Sequence, residues 1–140
     1  MGPPCRICLG QWPLPDHLIA DMGLMTAFLH EDQFFPGWTV LVFKRHATEL
    51  FHLQESERGE VMERVTRVAE ALAEIFQPVK VNYALLGNQL AHMHWHVVPR
   101  LHDDPAPQEA IWGVIHQPQK LTPEEVSRRL SQIREALRSR

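Results

Sequence analysis

Histidine recurs at every second position in the run His92-Met93-His94-Trp95-His96-Val97-Val98, and apolar residues fill the gaps. A period of two dictates an extended strand, in which successive side chains alternate between faces. The strand reading covers about Ala91 to Val98 and turns all three imidazoles one way. Met93, Trp95 and Val97 turn the other way, toward a core. Three imidazoles on one face are poor packing material but good nitrogen nucleophiles, proton carriers or metal ligands. Two chemical readings therefore stand beside a purely structural one. One is a histidine nucleophile supported by its neighbours, and the other is an ion gripped by the alternating rings.

The rest of the chain supplies strands and helices around this run. Residues 1–140 read as a single domain, long enough for one core. Residues 1–16 are rich in Pro and Gly and read as an ordered loop if something anchors them. Leu24 to His30 reads as a first strand. Phe34-Phe35-Pro36-Gly37 forms a turn, and Trp38 to Phe43 is a β-rich strand. From about Glu55 to Phe76, Val61, Val65, Val68, Leu72 and Ile75 fall on one helical face. Pro78 ends that helix, and Val81 to Leu86 reads as a further strand. The stretch from about 99 to 121 is irregular. Thr122, Pro123 and Glu125 form a helix start, and Val126, Leu130, Ile133 and Leu137 form a stripe over 122–140. That stripe is read first as packing within the chain and second as a partner surface. The element order predicts an α+β fold with an antiparallel sheet.

The triad run resembles the signature of the histidine triad (HIT) family, in which three histidines alternate with apolar residues. Gly87-Asn88-Gln89 upstream, Pro99-Arg100 downstream and the strand Trp38 to His46 extend the resemblance over roughly residues 5 to 101. Leu85 through His96 is most similar to short bacterial HIT hydrolases of the diadenosine polyphosphate type. The resemblance implies a HIT-like antiparallel sheet packed by a long helix, usually in a homodimer. It implies a nucleotide hydrolase or transferase that cleaves a nucleoside phosphate anhydride or phosphoramidate through a covalent nucleotidyl-histidine.

The resemblance assigns the roles by position. His94, the middle histidine, is the nucleophile, and His96 supports it beside the leaving oxygen. Gln89 and Asn88 face the phosphate, and Asn82 supports the site from the preceding strand. Asp32 matches the acid that receives the ribose hydroxyls, with Glu31 as the alternative. Trp112 reads as a core or interface tryptophan, with base stacking as the second reading.

Cys5-Arg6-Ile7-Cys8 is a second constellation. A lone pair of cysteines needs two further ligands to hold a metal, and His46 and His92 are the candidates. In relatives such as galactose-1-phosphate uridylyltransferase, a Cys-Cys-His-His zinc site uses the histidine two before the nucleophile, which is His92 here. A Zn2+ held by Cys5, Cys8, His46 and His92 would be structural, because four protein ligands leave no open position. The resemblance calls for no organic cofactor.

Composition excludes some partners. The chain is 44% apolar and 22% charged, with a net charge of −3. That balance gives no bulk electrostatic case for polymeric nucleic acid or a membrane surface, whereas a small nucleotide needs only a local site. With two cysteines and no recognisable signal segment, the expected location is the cytoplasm. Three alternatives stay open: a phosphorylase of the same fold, a zinc-stabilised nucleotide-binding or scaffold protein with little turnover, and a metal site built from the triad.

Overall fold

The structure is a computed structural model and describes residues 4–140. Five antiparallel strands form one sheet: β1 (Leu18–Met22), β2 (Met25–Leu29), β3 (Thr39–Phe43), β4 (Lys80–Ala84) and β5 (His94–Arg100). Their spatial order is β1-β2-β3-β5-β4. Two helices complete the fold, α1 (Glu55–Phe76) and α2 (Pro123–Arg138).

The apolar stripe of α1 packs as its spacing predicts. Val61, Val65, Val68 and Leu72 are buried against Leu41, Phe43, Met93, Trp95 and Val97 of the sheet side. Glu57 accepts the Gln54 N–H at 2.9 Å to cap the helix start. Gln77, in a left-handed conformation with φ 50°, closes the helix end. Helix α2 begins with the expected capping box, as the Glu125 N–H bonds the Thr122 hydroxyl at 3.2 Å. Its stripe joins the same core, with Leu130 and Ile133 buried and Val126 and Leu137 packed beside them. The stripe is thus satisfied within the chain, and it no longer argues for a partner.

Two strand expectations need correction. The strand read as first is β2, and β1 precedes it. Only Ile19 of β1 is buried, so the segment lacks the alternation that marks a half-buried strand. Arg134 of α2 covers its free edge by donating to the carbonyls of Leu18 at 2.6 Å and Ile19 at 2.8 Å. The triad strand starts at His94 rather than near Ala91. His92 therefore lies outside the strand, and its ring does not share a face with the other two.

β3 and β5 are buried along their whole length. The helices cover one face of the sheet. The other face, which carries His94 and His96, lies under the N-terminal loop and the segment from 101 to 121. Phe35, Trp38, Val98 and Ile111 make a small second core there. Arg100 anchors that segment: it pairs with Asp104 at 2.5 Å and donates to the carbonyls of Ala106 at 2.7 Å and Glu109 at 2.6 Å. Gly37 (φ +90°) lets the chain turn tightly before Trp38, where a Cβ would sit 2.7 Å from the Phe76 ring.

Candidate active site and metal centre

In the β3–β5 ladder, Val42 pairs with His94 and Val40 with His96. The two imidazoles project from the same face of the central strand, with ring centroids 5.1 Å apart. Each ring has one nitrogen committed. His94 Nδ1 lies 2.7 Å from the carbonyl oxygen of His92, so Nδ1 carries the proton and Nε2 keeps its lone pair. The opposite assignment holds at His96. There Nδ1 accepts the indole N–H of Trp38 at 3.0 Å, which leaves the proton on Nε2. Burial pushes the pKa of His94 down, partly offset by the bond to His92. Burial, with the neighbouring His94 and His30, lowers that of His96 to about 3. Both rings are thus neutral near pH 7, His94 with an unprotonated Nε2 and His96 with an Nε2–H.

The rings open onto a cavity of about 400 Å³ lined by Arg6, Trp12, Asn88, Gln89 and Trp112 among others. Gly87, at φ +90°, turns the chain so that the Asn88-Gln89 loop forms one wall. Trp12 stands edge-on to His94 at 5.3 Å, and its indole N–H is held by Glu31 at 3.2 Å. Trp112 stands edge-on to His96 at 4.8 Å. It also lines a second cavity, of about 470 Å³, which reaches the other side of His96 and touches Asn82 and Arg100.

The predicted residues divide accordingly. His94, His96, Asn88 and Gln89 share the first cavity. Asn82 faces the second, with its side-chain oxygen taken by Arg100 at 2.8 Å. Asp32 belongs to neither. One of its oxygens accepts the backbone N–H groups of Phe34 and Gln119, both at 2.9 Å, and the other meets His116 Nε2 at 2.7 Å. Although desolvation works against it, those bonds hold the Asp32 carboxyl below its ordinary pKa. Asp32 therefore clasps the segment after residue 101 to the β2–β3 loop, and it is not among the residues that line the cavity beside His94.

Cys5, Cys8, His46 and His92 converge on one point, with their donor atoms all within 4.8 Å of one another. Cys5 Sγ lies 3.3 Å from His92 Nδ1, Cys8 Sγ lies 3.4 Å from His46 Nδ1, and the two Nδ1 atoms are 3.2 Å apart. Zinc bonds of about 2.0–2.3 Å at tetrahedral angles give donor separations of roughly 3.3–3.8 Å. Four of the separations, from 3.2 to 3.5 Å, are close to those of a tetrahedral zinc cage. His92 Nε2 donates to the Phe43 carbonyl at 2.6 Å, which turns the Nδ1 lone pair toward the thiols. The Cys8 N–H donates to Cys5 Sγ at 3.4 Å. The triad rings do not themselves converge on one ion, because His92 faces the cysteines while His94 and His96 face the cavity.

A HIT domain model matches residues 13–103. The chain belongs to the HIT family. A histidine triad protein from Bradyrhizobium japonicum is 32% identical, with a TM-score of 0.79 over 89% of this chain and 93% of its own. A Zn-bound histidine triad family protein from Mycobacterium smegmatis is similar at 22% identity and a TM-score of 0.71, over 96% and 94%. A diadenosine triphosphate hydrolase from Plasmodium falciparum shares the fold at 13% identity and a TM-score of 0.69, over 90% and 79%.

Sequence reasoning missed several residues of this HIT site. Arg6 was read only as a spacer between two cysteines, yet it lines the first cavity. Trp12 lies in a Pro-rich loop, where no periodicity points inward. Trp38 reads as the apolar start of a strand, and nothing local reveals its bond to a residue 58 positions on. Trp112, by contrast, was named in the sequence, and it is half exposed and walls both cavities rather than lying in the core.

Proposed function

We propose that this HIT chain is a nucleotidyl hydrolase or transferase acting on phosphorus-linked nucleotides, dinucleoside polyphosphates among them. The observation that carries this reading is the bond from His94 Nδ1–H to the His92 carbonyl, which leaves Nε2 unprotonated and facing the cavity. In the first step, Nε2 attacks phosphorus in line with the leaving group. A P–N bond forms, the bond to the bridging atom breaks, and its electron pair departs with the leaving group. Asn88, Gln89 and Arg6 offer donors to the phosphoryl oxygens from the cavity wall. In the second step, water attacks phosphorus, the P–N bond breaks, and the electron pair returns to Nε2. The water proton leaves to solvent.

Cys5, Cys8, His46 and His92 would hold a structural Zn2+, as the separations of their donor atoms support. Such an ion would supply no Lewis acidity to the reaction, since its four positions are taken. It would fix His92, whose carbonyl orients the nucleophile. No helix among the described residues is long and apolar enough to cross a membrane. Two free thiols suit a reducing cytoplasm.

We also infer a homodimer, now from the free edge of β4 rather than from α2. That edge ends the sheet, and Tyr83 on it is half exposed. Light scattering over a concentration series should give twice the chain mass, whereas one chain mass at every concentration would reject the dimer.

The test of function is a turnover screen over dinucleoside polyphosphates and nucleoside phosphoramidates, with and without inorganic phosphate. Nucleoside monophosphate release in water is the expected result. Turnover only with phosphate would mean a phosphorylase. Nucleotide binding without turnover of any substrate would return the chain to the binding or scaffold reading.

A further inference from the structure

Trp38 is buried, with 5% of its surface exposed, and it stands immediately before β3. Its indole N–H reaches Nδ1 of His96 at 3.0 Å. An indole nitrogen donates and never accepts. Protonating Nδ1 would therefore set one N–H against another between two buried side chains. The indole has no room to turn away. His30 stacks flat on it, at 3.8 Å between centroids and 5° between planes. Phe35 and Trp112 stand edge-on to it at 6.2 and 5.9 Å. His30 is itself fixed, because its Nδ1 accepts the Asp32 backbone N–H at 3.0 Å. The titratable and charged groups that face His96 are His94 on its own strand, His30 at the end of β2, and Arg6 across the first cavity. Lys80, Tyr83, Arg100 and Glu109 face it across the second.

We infer that Trp38 is a positioning residue that locks His96 as a neutral Nε2–H donor, and that this lock selects leaving groups able to depart without a proton. The selection rests on the His94 nucleophile proposed above. When His94 Nε2 attacks a phosphate anhydride, the electron pair of the broken P–O bond goes to a phosphate oxygen. That anion is stable near neutrality and needs only the hydrogen bond from His96, because a phosphate monoester has its second pKa near about 6. A phosphoramidate is different. Its leaving nitrogen must gain a proton as the P–N bond breaks, or depart as an amide ion. An imidazolium could give that proton, but His96 cannot become one against the Trp38 N–H. The favoured substrates are thus nucleoside phosphate anhydrides, and amine-leaving phosphoramidates are the disfavoured class.

Two readouts test this, one of them independent of turnover. Two-bond proton–nitrogen correlation spectra of the 15N-labelled full chain, between pH 5 and 8, report the tautomer of each histidine. In the wild type, His96 should remain Nε2–H throughout. In Trp38→Phe it should populate both tautomers and begin to titrate. Replacing Trp38 by 3-benzothienylalanine keeps the bicyclic shape without the N–H, and it should behave as Trp38→Phe does. The second readout is kcat/KM for diadenosine tetraphosphate against adenosine 5′-phosphoramidate. The wild type should favour the anhydride, and loss of the indole N–H should shrink that preference by about 10²-fold, the lower end of a general acid effect. A wild-type His96 that titrates in this range, or a wild type that cleaves both substrates equally, would overturn the proposal. Turnover of neither substrate would sink nucleotidyl transfer and leaving-group selection together. The lock itself would then be judged on the spectra alone.

Discussion

His94 and His96 carry the same ring and opposite assignments, because one meets a carbonyl and the other an indole N–H. Neither partner is legible at the level of the triad motif. The motif marks the residues, and the partners set which nitrogen of each ring is protonated. His94→Asn should lower turnover by at least about 10³-fold while nucleotide affinity changes little, since the nucleophile contributes along the reaction path and the cavity walls remain. Wild-type turnover by this variant would remove histidine from the mechanism. Asp32 is the contrasting case. Its position after an early strand matches a ribose acid, but Phe34, Gln119 and His116 have already filled its oxygens. Asp32→Ala should therefore cost stability, about 1–3 kcal/mol for the groups left unpaired. Urea denaturation would measure that loss. A rise in KM without loss of stability would restore the ribose reading.

At the scale of elements, the Cys5–Cys8 loop and the start of the triad strand meet in one Cys/His cluster. Cys5 and Cys8 reach across the chain to His46, at the end of the β3 segment, and to His92, just before β5. The His92 carbonyl then orients His94. Purified protein should carry one zinc per chain. Cys5→Ser should remove it and lower the melting temperature, because metal binding to the folded cage is folding energy. Equal melting temperatures with and without metal would reject the structural ion. Helix α1 was legible from five apolar positions at helical spacing, and α2 from its capping box, since both signals are local and strongly periodic. β1 was not, because a short edge strand with one buried residue carries no alternation. Nor was the 101–121 segment, which Arg100 and Asp32 pin by polar contacts rather than by any periodic face.

For the molecule as a whole, buried histidines set how stability changes with pH. Burial lowers the pKa of His30, and burial with nearby His94 and His30 lowers that of His96 to about 3. The unfolded chain titrates both near their ordinary value of about 6.5. Below about pH 6.5, and for His96 down to about 3, the unfolded state therefore binds protons that the folded state refuses, and stability falls with acidification. Each histidine contributes a slope of up to about 1.4 kcal/mol per pH unit. His116 acts in the other direction. Desolvation works to lower its pKa, but the Asp32 carboxylate and the Val114 carbonyl outweigh it and raise it. Its contribution is complete below about pH 6.5 and is lost as pH rises through its folded value. Because His116 is protonated in both states below about 6.5, it does not oppose the acid limb. The two effects predict a stability maximum just above the ordinary histidine pKa, with a steep acid side and a shallow alkaline side. Melting curves from pH 5 to 8 on zinc-saturated protein, with metal content followed alongside, would trace it. His116→Asn should flatten the alkaline side and leave the acid side intact. A melting temperature unchanged between pH 7 and pH 5 would mean that His30 and His96 are not held neutral in the fold.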